Sequence, residues 1–308
     1  NEIEERLNNH VVDSNKIDKY VEITKNEGNT YEFTNLNLQN GGYVKLPNEA
    51  EVLLNDGKLN LLLNDQNNKN KVIIKNSENA LLSIKNNQES KLVIDSDSSN
   101  KLKVVINTKS EVYAPLSIEV GSNAKTINID SINLHGKGSV SGDERADKSV
   151  IVKNIEAQPQ TDAYLSNIEL SNEIVVSQFA KLNFDNVKLS DDSKIKLNLL
   201  SYSLENYQDP LILGKFGSPP KSISLSKPDS GNKPKPGNDE YIIFSGTFEN
   251  GCDAWKERLQ LGDSGFNDKQ CVKINENEKI LDNNERKALV VKVIKKDDDP
   301  PKSNGNNL

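Results

Sequence analysis

Short apolar segments recur about every ten residues along this chain, each closed by an Asn- or Asp-rich turn, and that rhythm leaves no room for helices. LNLLLND (59–65), KVIIKN (71–76), LLSIKN (81–86), KLVIDSD (91–97) and KLKVVIN (101–107) follow one another directly. None is long enough to hide its own apolar side, so neighbours must stack, which is the logic of a solenoid. The pattern continues from Tyr31 to about Lys227 through YEFTNLNL, EVYAPLSIEV, KTINIDSINLHG, SVIVKNIEA, KLNFDNVKLS and SISLSK. A sandwich would announce hairpins with Asn-Gly turns. Asn40-Gly41 and Asp56-Gly57 occur, but the later turns carry Asn-Asn, Ser-Asp and Lys-Asn pairs. Such pairs suit the corners of a parallel coil, where Asn tolerates left-handed backbone and its amides can bond between coils. The expected fold is all-β, a right-handed parallel β-helix.

Composition agrees with a narrow aliphatic interior. The chain is 34% hydrophobic but only 5% aromatic, and its mean hydropathy is −0.67. Net charge is −7, from 39 basic and 46 acidic residues. Nucleic acid is excluded as a partner, because phosphate repels an acidic chain without a segregated basic stripe. No apolar run approaches the 18 residues of a membrane helix, so any membrane attachment is expected through an anchor outside this segment.

Five parts are expected. Residues 1–25 read as an N-terminal cap, since Ile3, Leu7 and Val11 share one helical face and an uncovered solenoid end invites edge pairing. Residues 26–227 are the solenoid, and 228–240 a Pro/Gly-rich linker or loop. Residues 241–296 read as a small C-terminal subdomain or cap. CDAWKERLQL (252–261) there is a short helix with Asp253 placed to cap it. Residues 297–308 read as a flexible stalk leading towards an anchor. There is no Met, even at position 1, which reads as a mature or excised segment.

Cys252 and Cys271 are the only cysteines and lie in one segment. They are expected to form a disulfide in an oxidising compartment. The chain holds 43 Asn yet no N-x-[ST] acceptor site. Either a secretory route selects against stray glycosylation or the sites were edited out. Extracellular, cell-surface display is the expectation.

Catalytic motifs fare poorly. GDSG (262–265) resembles the nucleophile string of serine proteases, but His10 and His135 are the only histidines and neither sits in that family's setting. The same scarcity of His and Cys argues against zinc. DSDSSN (95–100) begins like a calcium loop through Asp95, Asp97 and Ser99, yet lacks the Gly at the sixth position and the acid at the twelfth. Asp297, Asp298 and Asp299 read as a solvated charge run. The one candidate catalytic cluster is Asp143, Glu144 and Arg145 with His135. No metal or cofactor is expected, and the chain is read as a non-enzyme. Tyr202, Tyr207 and Trp255 are the expected contact residues, with loops 138–148 and 202–210 as contact loops.

The strand spacing from 31 to 227, the Asn/Lys-rich turns, the late cysteine pair and the polar tail together resemble β-helical surface adhesins. The nearest are the polymorphic-membrane-protein-like proteins of parasitic protists and bacterial autotransporter passengers. The resemblance is one of style, over most of the chain. It implies an extracellular rod that presents loops to proteins or glycans of host or neighbouring cells, or to a second copy of itself. Two alternatives come from the architecture: a polysaccharide lyase or hydrolase with a groove along the solenoid, and a structural wall or coat component.

Overall fold

The computed structural model describes residues 20–22, 30–33, 43–47, 49–54, 58–63, 69–74, 81–98, 103–177, 179–198, 211–226, 240–274 and 285–294. These form a parallel β-solenoid with two interleaved ladders. One ladder runs through β1 (Tyr20–Glu22), β3 (Tyr43–Lys45), β5 (Lys58–Leu63), β7 (Leu81–Asn86), β9 (Lys103–Val112), β11 (Thr126–Leu134) and β13 (Ser149–Ala157). It continues through the latter part of β14 (Asp162–Val176), then β16 (Lys194–Asn198), β18 (Ser222–Ser226) and β20 (Leu259–Gln260). The other comprises β2 (Thr30–Phe33), β4 (Glu51–Leu54), β6 (Lys69–Ile74), β8 (Ser90–Ser96), β10 (Pro115–Val120) and β12 (Ser139–Ser141). The start of β14, β15 (Lys181–Leu189), β17 (Ile212–Phe216) and β19 (Glu240–Phe248) extend it.

Alternation along each strand decides which residues turn inward. In β9 every second residue is buried. Register then stacks like on like: Val52 faces Val72, Val72 faces Ile94, and Ile94 faces Val120. All four are essentially inaccessible, each burial being worth about 1.5–3 kcal/mol. This is how so few aromatics suffice.

The corners are built from turns whose fourth residue is small and buried. Ala50, Thr161, Ala180 and Ser193 each donate their N–H to the residue three before, namely Pro47, Gln158, Ser177 and Ser190. Glu49, Gln160 and Phe179, the third residues of three of these turns, take left-handed backbone, as a type II turn requires. Where strands bend instead of turning, within β14 and β15, Asn takes the left-handed position. Asn167 and Asn186 are both left-handed, with φ of 53°. The Asn186 amide donates to the Asn167 side-chain carbonyl at 2.9 Å. Asn172 bonds Asn154 in the same way.

At the C-terminal end the ladders change character. β19 and β20 still stack in parallel on β17 and β18. β22 (Arg286–Lys292) then pairs antiparallel with β19, and β21 (Asp268–Lys273) antiparallel with β22. Helix α1 (Cys252–Arg258) packs against them, tied to β21 by the Cys252–Cys271 disulfide. The last segment is therefore both the final rung and its cover. Asp253 does not cap the helix. Gly251 occupies the cap position with no side-chain bond, and Asp253 lies in the first turn, where its negative charge complements the positive end of the helix dipole. The expected cap over 1–25 falls outside the described residues except for β1, and the segments 227–239 and 297–308 lie outside them too.

Candidate functional site

The structure separates the four polar residues that the sequence groups. His135 and Asp143 lie beyond opposite ends of β12. His135 stacks on Tyr113 with ring centroids 4.4 Å apart, and its Nε2 pairs with Glu111. Asp143 serves the neighbouring corner. Its carboxylate accepts from the backbone N–H of Val120 at 2.9 Å and that of Arg145 at 3.0 Å. Arg145 Nε and Nη2 close on it at 2.9 and 2.6 Å. Arg145 also donates to the Val120 carbonyl.

The Arg145 guanidinium, followed by the two backbone donors, holds the Asp143 carboxyl down at about 2 despite burial pulling the other way. The same contact raises the Arg145 pKa. A carboxylate so firmly ionised, with its donors already placed, is a strut and a poor proton shuttle. Glu144 is exposed beside it. Lys148 completes the clamp by donating to the carbonyls of Gly121 and Ala124. The expected contact loop 138–148 is thus one short strand followed by a fastened corner.

Asp95 is likewise structural. Its Oδ1 accepts from the N–H groups of Ser96, Asn123 and Ala124 at 2.8–3.0 Å, so one buried carboxylate pins the corner of the next rung. Asp97 is exposed and Ser99 lies outside the described residues. Among the described residues no group of three His, Cys, Asp or Glu could hold a metal ion. The GDSG string is a tight turn: Ser264 is buried, donates its N–H to Leu261, and accepts from Phe266 through its hydroxyl.

Trp255 is not a contact residue. It is 1% exposed, donates its indole N–H to the Gly217 carbonyl at 2.9 Å, and packs against Phe216, Phe244 and Phe248. A large ring with a satisfied polar edge belongs in a core. Tyr202 and Tyr207, with the rest of loop 202–210, lie outside the described residues.

What the described surface does offer is an open groove of about 1390 Å³ between β15 and the corner after β17. Its floor is the second half of β15, with Val187 and Leu189 half-buried. Lys215, Gly217 and Ser218 line it from the next rung, and Tyr164, 63% exposed, also lines it. Glu169, Asp185, Asp191 and Glu249 bring negative charge; Lys188, Lys215 and Arg286 bring positive.

The groove exists because β17 pairs with β15 only over Leu182–Phe184 and then leaves it. The departure point is Gly214, at φ 138°, paired with Gly246, at φ 155°. A Cβ on Gly214 would come within 2.0 Å of the Phe184 carbonyl oxygen, so only glycine fits. The sequence carried a trace of this. A lone Gly inside the strand pattern PLILGKF (210–216) marks a bend or close backbone approach. The spacing between stacked partners also jumps, from Leu182 facing Ala163 to Leu182 facing Ile212.

No protein-family model, curated protein or solved structure matches the chain.

Proposed function

We propose that this chain is the extracellular, surface-displayed part of a protein that attaches to neighbouring or host cells, or to copies of itself, without catalysing a reaction. The observation that carries the reading is the groove: a large open surface on a stacked, capped scaffold, while the acid–base cluster legible in the sequence is split by the fold, with Asp143 and Arg145 engaged in holding a corner together. The disulfide between Cys252 and Cys271 fits a secreted or extracellular setting. No helix among the described residues is long and apolar enough to cross a membrane.

The test is direct. The labelled protein is applied to intact cells and to a surface coated with the same chain, with a groove variant, Tyr164→Asp, as comparison. Attachment that the substitution weakens supports the reading. Absence of both cell attachment and self-association at tens of micromolar protein sinks it.

The four carboxylates around the groove favour a second reading, a polysaccharide lyase or hydrolase. Cleavage of a polyuronate or neutral glucan that disappears in Glu169→Gln would establish that instead.

A further inference from the structure

One solenoid face is a ladder that stops in mid-stack. It is built from the first halves of β9, β11 and β13, the middle of β14 and the end of β15. One inward column is Ile106, Ile129, Val152, Leu170 and Leu189, each facing the next in register. Two residues earlier on each strand lie Val104, Ile127, Val150, Ile168 and Val187. Every member of both columns is buried except the last, Val187 and Leu189, which are only partly covered. No strand among the described residues pairs above them.

The backbone there is open as well. Ser190 donates its N–H to the Leu170 carbonyl. The alternation of a strand therefore turns the N–H and C=O of Val187 and Leu189 the other way, into the groove. Between them Lys188 faces outward, opposite Glu169 on the strand below.

We infer that this edge takes an extended polypeptide strand of a partner protein, carrying an aliphatic–acidic–aliphatic triplet. The inference rests on the attachment reading and specifies how the groove makes contact. Its two aliphatic side chains continue the columns over Val187 and Leu189. Its acid answers Lys188, and its main chain bonds the exposed peptide groups, the mode of strand addition. The ladder itself supplies the precedent, because Ile168-Glu169-Leu170 already meets Val187-Lys188-Leu189 from the other side in this register. A row of peptide donors and acceptors at strand spacing, beneath two unfinished aliphatic columns, fits a polypeptide better than a sugar. Lys188 on the edge also discourages indiscriminate pairing.

The test uses the whole chain and the peptide acetyl-Ser-Asn-Ile-Glu-Leu-Ser-amide, a copy of residues 166–171. At millimolar peptide, hydrogen exchange at the Val187 and Leu189 amides should slow markedly, with little change on β11. Replacing Glu by Lys in the peptide should weaken binding about threefold, the usual scale of a cross-strand charge pair. In Lys188→Glu the preference should reverse. The proposal is overturned if those two amides already exchange slowly in the free protein, because the edge is then covered. It also falls if Lys188→Glu leaves the preference unchanged, or if only an oligosaccharide or self-association of the chain protects them. Peptide protection without cell attachment or self-association would keep the strand site and remove the adhesion reading; attachment without peptide protection would do the reverse.

Discussion

Two asparagines in the solenoid are completely buried, and the same substitution should push stability in opposite directions. Asn70, on β6, is 0% exposed, and neither its amide nitrogen nor its oxygen has a hydrogen-bond partner. It stacks beneath Leu92 in an otherwise aliphatic interior. Asn86, at the end of β7, is equally buried but fully engaged. Its amide donates to the Gln88 carbonyl at 2.9 Å, the Ser90 hydroxyl at 2.6 Å and the Pro115 carbonyl at 3.1 Å. Its oxygen accepts from Ala114 N–H at 2.8 Å.

Leucine matches the branched outline of Asn. Asn70→Leu removes a buried, unpaired amide, a cost of about 1–3 kcal/mol, and adds apolar burial, against about 1 kcal/mol or more of crowding. The expected net is a gain of about 1–3 kcal/mol. Asn86→Leu strands the Ala114 N–H and the Pro115 carbonyl in addition to losing its own bonds, for a loss of about 3–5 kcal/mol.

Because solenoid rungs unfold with some independence, the assay is hydrogen exchange of the amides on β6 and β8, supported by thermal unfolding. Asn70→Leu should slow exchange there, and Asn86→Leu should accelerate it on β7 and β10. A destabilising Asn70→Leu would refute the reasoning, since it would mean that the amide has a buried partner such as water.

Three further outcomes are expected. The Asp143 carboxyl is depressed to about 2 from an ordinary 3.8, so its contribution is full above the unfolded value and fades as pH falls through the folded one. With half-exposed Arg145 discounting the pair, wild type should exceed Asp143→Asn by about 1–2 kcal/mol at pH 7. Urea midpoints should show about half of that difference gone by pH 3. Reducing the 19-residue Cys252–Cys271 loop, or replacing both residues with Ser, should cost about 3 kcal/mol; near-ultraviolet dichroism of Trp255 would report loosening of the end, and an unchanged melt would contradict it. Trp255→Ala should cost about 3–5 kcal/mol by emptying the aromatic core, while peptide binding at β15 per unit of folded protein stays the same.

The parallel solenoid was legible because two local signals agree: period-two alternation, and segments too close together to allow helices between them. The disulfide was legible because only two cysteines exist. Other features were hidden for equally physical reasons. His135 and Asp143 are near in sequence, but a strand as short as β12 is enough to send them to different corners. Trp255 looked exposed because its neighbours, Phe216, Phe244 and Phe248, come from other rungs and share no local pattern with it. β14 runs unbroken over Asp162–Val176, since its bend at Asn167 does not end the strand. The small buried fourth residue of each corner turn, as in LPNEA (46–50) and AQPQT (157–161), is a recurrent signature that apolar periodicity overlooks.

Aliphatic columns alone cannot fix how the rungs align, because a slip of two residues keeps every inward side chain inward. The polar corners remove that freedom. Asn86, Asp95 and the Asn186–Asn167 pair each bond across adjacent rungs in a way that a slipped chain could not reproduce. Above Asn186 this device stops. Two residues beyond the Phe184–Gly214 pairing the next rung carries Phe216 in place of an asparagine. Its ring turns inward, 5.5 Å from Phe244 and 5.2 Å from Trp255. The aromatic core that closes the C-terminal end therefore draws β17 away from β15 at Gly214. Cover and groove have one cause: the chain trades a stacked rung for an aromatic plug, and among the described residues no strand pairs above Val187 and Leu189.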